Sequence, residues 1–238
     1  MTVIDFHTHI LPNIDDGSES VENSIAMLRL QKKQGIDHVV LTPHFYARHN
    51  SPERFLQKRL HALERMRNAL DSADGLPRIS LGAEVHFFEG ISDFEKLYDM
   101  RITGTNSVLI EMPNTVWSQR ILDELEDIPS KLHITPIIAH IDRYISPFNT
   151  KGIPEKLSNL PVLVQANADF FINRFTSKLA LKLLSENKIQ LLGSDCHNLK
   201  DRPPNLDAAL RIIERSLGTS AIAKINALEQ KLMSVPRS

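Results

Sequence analysis

The sequence predicts a parallel α/β fold, a distorted (β/α)7 barrel whose functional face lies at the C-terminal ends of its strands. Three observations predict it. Seven short runs rich in β-branched residues alternate with amphipathic helical patterns along the 238 residues, as parallel strands joined by crossover helices do. No low-complexity linker divides the chain, so residues 1–238 read as one domain, and barrels of this length are common as single units. Most of the strand runs also end in His, Asp or Glu, where parallel α/β folds gather their functional groups. An incomplete barrel or a doubly wound open sheet is the competing arrangement.

The strand runs are residues 3–6, 39–42, 79–84, 108–111, 135–139, 162–165 and 190–193. Between the first two, residues 20–34 carry Ile25, Leu28 and Leu30 at helical spacing, and Gly35 follows as a C-terminal cap. The acidic segment 19–22 opens that helix, where negative charge offsets the macrodipole. Residues 52–70 begin with Ser51-Pro52, a cap followed by proline at the first helical position, and set Leu56, Leu60, Leu63 and Leu70 on one face. Residues 119–128 use Ile121, Leu122, Leu125 and Ile128, and residues 177–187 use Leu179, Leu183 and Leu184. Helical patterns at 206–217 and 220–232 close the chain.

Composition narrows the partners. Lys plus Arg is 28 and Asp plus Glu is 29, for a net charge of −1. There is no basic excess for nucleic acid and no polybasic tail for an anionic membrane. Cys196 is the single cysteine, so no intrachain disulfide forms, as expected in a reducing compartment. The N-terminus has no basic segment followed by a long apolar one, and no apolar stretch approaches the ~20 residues that span a bilayer. A soluble cytoplasmic protein without membrane insertion is expected. Ten histidines are the unusual number.

Five of those histidines fall at strand ends. The first run leads into His7-Thr8-His9 and then Asp15-Asp16-Gly17; the second ends in Thr42-Pro43-His44; the third in Gly82-Ala83-Glu84; the fourth in Glu111. The fifth ends in Ala139-His140 with Arg143 close behind, and the seventh in Ser194-Asp195-Cys196-His197. Imidazole nitrogens and carboxylates suit Zn²⁺, Mn²⁺ and Fe²⁺. His7 and His9 stand at i and i+2, so on a strand both point to one face, and Asp195 and His197 repeat the spacing. A lone His-x-His is ordinary near a strand end. Six strand ends furnished alike point to a metal centre at one mouth.

In this order, HTHILPNIDDG, TPH, GAE, IEMP, IAHIDRY and SDCHNLKDRPP resemble the PHP (polymerase and histidinol phosphatase) superfamily. Within it they most resemble the bacterial protein-tyrosine-phosphatase branch, the CpsB/YwqE type of capsule and exopolysaccharide operons. The resemblance covers residues 3 to about 210; Asp142 stands where the branch usually has Glu, and the tail from about 219 carries no motif. The resemblance implies a distorted seven-stranded barrel holding three divalent metal ions, most often Mn²⁺, with iron or zinc as alternatives. Carried over by motif, His7, His9, Glu84 and Asp195 hold the first ion. Glu84 bridges to a second, completed by Glu111 and His140, while Asp16, His44 and His197 hold the third. Asp16 is preferred to Asp15 because the family's aspartate directly precedes the glycine. Arg143 and Arg202 clamp the substrate phosphate.

The activity so implied is that of a metal-dependent protein-tyrosine phosphatase. Its partner would be a bacterial tyrosine autokinase that regulates capsular or exopolysaccharide synthesis. The charges agree: three divalent ions outweigh the carboxylates of Asp16, Glu84, Glu111 and Asp195 by two, which suits a phosphate dianion. Metals lower a water's pKa from 15.7 to roughly 7, so the expected reaction is in-line attack of metal-bound hydroxide on phosphorus without a covalent intermediate. Bidentate arginine contacts add geometry. A tyrosine leaving group, with a pKa of ~10, needs less acid assistance than an alkyl alcohol; no residue of the set stands out as a general acid, though Asp15 could serve.

Two other functions share these residues. One is a small-molecule phosphatase such as histidinol-phosphate phosphatase. The other is a non-catalytic PHP scaffold, whose signature would be missing ligands; none is missing. A homo-oligomer is left open. Cys196 to Arg202 also reads C-x5-R, the spacing of cysteine-dependent tyrosine phosphatases, but the intervening HNLKD has no glycine to build a phosphate-cradling loop around a thiolate. Cys196 is expected to point away from Asp195 and His197. His38, His61 and His133 read as packed or solvated, His86 and His49 are unassigned with a place lining the mouth or touching substrate as the lesser alternative, and Trp117, Phe45 and Tyr46 either frame an aryl group or pack.

Overall fold

Every strand pairing among the described residues is parallel. The computed structural model describes residues 2–145 and 152–234. In chain order the strands are β1 (Ile4–Thr8), β2 (His38–Leu41), β3 (His44–Phe45), β4 (Arg78–Leu81), β5 (Glu84–His86), β6 (Ser107–Glu111), β7 (Thr135–Ile138), β8 (Leu163–Asn167) and β9 (Leu191–Gly193). They hydrogen-bond in the orders β1-β2-β4 and β3-β5-β6-β7-β8-β9. The expected run 79–84 is therefore split in two, and a short strand, β3, follows the expected run 39–42. Pro43, which has no N–H for a ladder, separates β2 from β3, and Gly82-Ala83 separates β4 from β5. The breaks let β3 and β5 pair in a different sheet from β2 and β4.

The sheet curls until its outer strands meet. Thr8 forms a parallel bridge with Cys196, His9 N–H donates to the Cys196 carbonyl at 2.9 Å, and Asp195 N–H donates to the His7 carbonyl at 2.8 Å. The result is an α/β fold on a curled parallel sheet. Within the curl lies an apolar cluster that includes Phe6, Val40, Leu109, Ile137 and Leu191. Their strand neighbours Val39, Val108, Ile138 and Leu192 face the other way, into the larger cluster beneath the helices, as period-two alternation requires.

The helices are α1 (Val21–Lys33), α2 (Pro52–Asp71), α3 (Gln119–Leu132), α4 (Ile153–Leu157), α5 (Ala168–Ile172), α6 (Ser177–Ser185), α7 (Leu206–Leu217) and α8 (Thr219–Met233). Ser20 caps α1 by accepting from Asn23 N–H, and Ser51 caps α2 by accepting from Arg54 N–H with Pro52 in the first turn. Two helix faces differ from expectation. In α2 the buried face is Phe55, Arg59, Ala62 and Met66, and Leu60 is exposed. The face is turned because the Arg59 guanidinium donates to the carbonyls of Gly82 (2.8 Å) and Asp99 (3.0 Å), tying α2 to the break between β4 and β5. In α6 Ala180 is buried in place of Leu179. The five-residue helices α4 and α5 are too short to show a period. Helix α8 closes one end of the curl, where Leu228, Leu232 and Met233 pack against the inner cluster.

Candidate metal centre

The opposite end, where the strands finish, holds all eleven expected site residues. β1 delivers His7 and, one residue past its end, His9; the following loop brings Asp16. β3 opens on His44, β5 opens on Glu84, β6 ends on Glu111, and His140 follows β7. Asp195 and His197 follow β9. Glu84 is the hub. Its Oε2 lies 3.1 Å from His7 Nε2, 3.2 Å from His9 Nε2 and 3.0 Å from His44 Nδ1, and its Oε1 lies 2.8 Å from His140 Nε2. Asp195 Oδ1 sits 3.6 Å and 3.4 Å from the same His7 and His9 nitrogens. On the outer side, Asp16 Oδ1 is 3.5 Å from His44 Nε2 and 3.4 Å from His197 Nε2. Glu111 Oε1 is 3.7 Å from His140 Nε2.

This arrangement fits metal ions better than it fits hydrogen bonds. His44 Nδ1 and Glu84 Oε2 are buried and adjacent, yet neither makes a hydrogen bond, and His197 Nε2 is buried without a partner as well. A buried polar atom left so costs about 1–3 kcal/mol. The outward ring nitrogens are all engaged: His7 Nδ1 with Gln165 Oε1 (3.3 Å), His9 Nδ1 with Asp15 Oδ2 (2.8 Å), His197 Nδ1 with the Asp195 carbonyl (2.9 Å) and His140 Nδ1 with the Tyr144 hydroxyl (3.2 Å). Such outer contacts fix the tautomer that turns a lone pair inward, as around metal-ligating histidines. Donor spacings of 3.0–3.2 Å around Glu84 Oε2 match the ~3 Å edges of an octahedral shell with bonds of ~2.1 Å. Three overlapping donor groups result: His9, Asp16, His44 and His197; His7, His9 and Asp195; and His44, Glu84 and Glu111. His9 and His44 each belong to two groups, which the motif-based grouping did not anticipate.

The charges are strongly coupled. Burial opposes ionisation of Glu84, but the imidazoles of His7, His140 and His9 hold its carboxyl well below the ordinary range. Burial likewise opposes Asp195, and His7 and His9 keep it ionised. His197, buried and beside a charged His9, falls to about 4 and so presents a neutral ring at neutral pH. Burial works against Asp15 too, but the His9 imidazole and the N–H groups of Gly17 and His44 bring it down to about 2. Asp15 Oδ2 lies 2.8 Å from His9 Nδ1 and accepts from His44 N–H at 3.1 Å, so it holds the His9 ring.

Arg143 and Arg202 converge at one edge. Their Nη2 atoms lie 2.5 and 2.7 Å from Asp195 Oδ2, and Arg143 Nη1 is 3.5 Å from Glu111 Oε1. Both guanidiniums line a cavity of about 210 Å³ that opens beside Asp195. His140 and Asp195 themselves sit in the left-handed backbone region (φ 33° and 53°), which strains residues other than glycine and recurs at functional sites.

Sequence reasoning missed the supports. β8 contributes none of the eleven, but Gln165 Oε1 accepts from His140 N–H (2.7 Å), Gln165 Nε2 donates to Asn167 Oδ1 (3.1 Å), and Asn167 Nδ2 donates to Asp195 Oδ2 (2.9 Å). Asp142 holds this strand end by accepting from Asn167 N–H (2.9 Å). The available signal was two amide side chains at i and i+2 in an apolar run. Gly17 is required: a Cβ there would lie 2.1 Å from the His9 carbonyl oxygen. Cys196 is fully buried in the outer cluster with its thiol pushed up by burial, so it faces away from the site as expected. His38 bonds Ser80, His133 caps α3, and Phe45 and Trp117 are core residues. Tyr46 and His86 do face the centre: the Tyr46 ring lies 5.2 Å from His44 and 5.3 Å from His86, and His86 Nδ1 is 3.1 Å from Glu111 Oε2.

Curled parallel sheet and inward histidine–carboxylate cluster together define an α/β protein with a candidate metal centre and two arginines at its edge. Residues 3–233 match the family model described as capsular polysaccharide synthesis, CpsB/CapC, and the chain belongs to that family. It is 30% identical over 232 residues to the tyrosine-protein phosphatase CpsB of Streptococcus agalactiae serotype III (strain NEM316), covering 91% of each chain. It is 29% identical over 229 residues to the tyrosine-protein phosphatase YwqE of Bacillus subtilis (strain 168), covering 91% of this chain and 86% of that one. A solved structure from work on YwqE of Bacillus subtilis and CpsB of Streptococcus pneumoniae, described as unique metal-dependent tyrosine phosphatases, superposes with a TM-score of 0.82 at 22% identity. It covers 97% of this chain and 94% of that one, so the fold is shared nearly end to end.

Proposed function

We propose that the protein is a metal-dependent protein-tyrosine phosphatase that hydrolyses phosphotyrosine on a bacterial tyrosine autokinase, in the cytoplasm, within capsular or exopolysaccharide synthesis. One observation carries the chemistry: His44 Nδ1, Glu84 Oε2 and His197 Nε2 are buried, unpartnered and directed into one cluster beside two arginines. The relatives' activity and family supply the substrate class. On this reading the curled sheet is a distorted (β/α)7 barrel, residues 1–238 act as one domain, and the active site lies at the C-terminal strand ends.

Three divalent ions, most often Mn²⁺, would be held by His7, His9, Glu84 and Asp195; by Glu84, Glu111 and His140; and by Asp16, His44 and His197. Bound there, such ions neutralise a phosphate dianion and acidify water. Arg143 and Arg202 bind the phosphate oxygens in the cavity they share, releasing Asp195 Oδ2 as they do so. Asn167 keeps that oxygen in place when the arginines turn to substrate. Asp15 and Gln165 hold the rings of His9 and His7, and Tyr144 holds His140. The buried Cys196 thiol takes no part.

Phosphate release by the Mn²⁺-loaded protein from a phosphotyrosine peptide, a phosphoserine peptide and histidinol phosphate tests this assignment. The phosphotyrosine peptide is expected to be the best substrate by at least about tenfold, in line with its better leaving group. Faster release from histidinol phosphate would replace the assignment with a small-molecule phosphatase, and no release from any of the three would favour a scaffold.

A further inference from the structure

A second cavity, of about 540 Å³, opens next to the metal centre and shares no lining residue with the one at Arg143 and Arg202. That volume suits a ligand larger than a phosphate group, since clefts that take drug-sized molecules span roughly 300–1,000 Å³. Its wall continues the centre's own rings. Centroids run from His9 to His44 at 4.5 Å, from His44 to Tyr46 at 5.2 Å and from Tyr46 to His86 at 5.3 Å. An aromatic group entering along this row meets ring faces and edges at the spacings aromatic pairs prefer. Beyond the rings the lining is apolar at Phe88 and Ile121 and charged at the outer rim.

The rim charges are unequal in availability. Glu124 accepts from the N–H groups of Gly90 (2.7 Å) and Ser92 (3.1 Å), so both of its oxygens are engaged. Glu89 pairs with Arg120 at 3.3 Å. Arg48 lines the same cavity, is exposed, and has no carboxylate within ion-pair distance among the described residues. It stands on the loop that leaves β3, anchored by the His49 and Asn50 N–H groups donating to the Tyr46 carbonyl at 2.9 and 3.0 Å. The same short loop thus carries the ring next to the metal ligands and the unpaired cation at the rim. A basic peptide finds no free carboxylate here, whereas an acidic one finds Arg48.

We propose that this cleft is the polypeptide subsite, taking the tyrosine ring against Tyr46 and His86, and that Arg48 selects acidic side chains flanking the phosphotyrosine. The inference rests on the phosphatase reading and names the substrate class within it. Rim charges act on encounter and on specificity more than on the bound state, so the effect belongs in kcat/KM and fades with salt.

The test compares the Mn²⁺-loaded wild type with Arg48→Glu on three substrates: para-nitrophenyl phosphate and two phosphotyrosine peptides that differ only in having aspartate or asparagine beside the phosphotyrosine. The wild type is expected to prefer the acidic peptide by about tenfold in kcat/KM at low salt, with the preference collapsing near 1 M salt, where the screening length is ~3 Å. Arg48→Glu should abolish the preference and leave para-nitrophenyl phosphate within about twofold of wild type. A wild type indifferent to the flanking residues, or a variant that loses the small substrate as much as the peptide, would overturn the subsite. A wild type inert toward all three would instead bring down the phosphatase reading beneath it.

Discussion

The two ends of the curled sheet are built from the same strands and solve opposite problems. At the closed end α8 lays Leu228, Leu232 and Met233 over the inner apolar cluster. Among the described residues the open end carries no apolar plug. Buried histidines and carboxylates face one another there, three of their atoms are unpartnered, and His140 and Asp195 adopt strained backbone conformations. The closed end gains stability from area removed from water. The open end gives some of that up to hold charges where an ion and a phosphate can use them. The division is not perfect: Glu229 of α8 is buried at the closed end, its Oε2 unpartnered and its pKa well above the ordinary range because of burial.

Substitutions should therefore sort by end, and three sharpen the contrast. The largest effect is expected for Glu84→Gln, which keeps shape but removes the charge at the hub. Loss of several kcal/mol of metal-borne stabilisation corresponds to about 10³-fold in kcat/KM, with bound metal falling in elemental analysis. A variant with wild-type activity would show that the open end is not organised around Glu84. Next is Asn167→Ala, which frees Asp195 Oδ2 to the arginines. Contacts of this kind are worth 10–100-fold in metal affinity or activity. A titration of metal binding should show the loss, and the metal-free protein should melt a few degrees lower because Gln165 Nε2 loses its acceptor.

The smallest effect belongs to the closed end. Because burial raises the Glu229 pKa, the folded state holds a proton that the unfolded state releases. That contribution is fully present below the unfolded pKa of ~4.3 and is lost as pH rises through the folded value. Glu229→Gln removes the dependence, so its melting temperature should match wild type near pH 4 and exceed it increasingly toward pH 8, by about 2–4 °C per kcal/mol recovered. Activity per folded molecule should not change. Equal melting curves at pH 8 would mean that Glu229 is not held neutral.

The open end was largely legible in the sequence, and the closed end was not. His-x-His, Asp-x-His and single ligands at strand ends stand out because their chemistry is specific, and the parallel topology brings them together as expected. The supports were less visible, since Gln165 and Asn167 are ordinary side chains until they are seen bonding His140, Asp195 and each other. The break at Gly82 lies in a run that read as continuous, the strand after Pro43 was not expected, and pairing with different neighbours separates the halves. Leu60 and Leu179 were placed by helical period, which gives a stripe but not its exact facing, and Arg59's bonds to the sheet break turned α2. The tail from 219 showed no motif because a floor helix needs only apolar surface.

The most direct test of the central claim is metal removal and return with the ions counted. Protein stripped with EDTA should release no phosphate from a phosphotyrosine peptide, and Mn²⁺ should restore release as three ions per chain are taken up. Undiminished release by the stripped protein would contradict the account and reopen the question of Cys196.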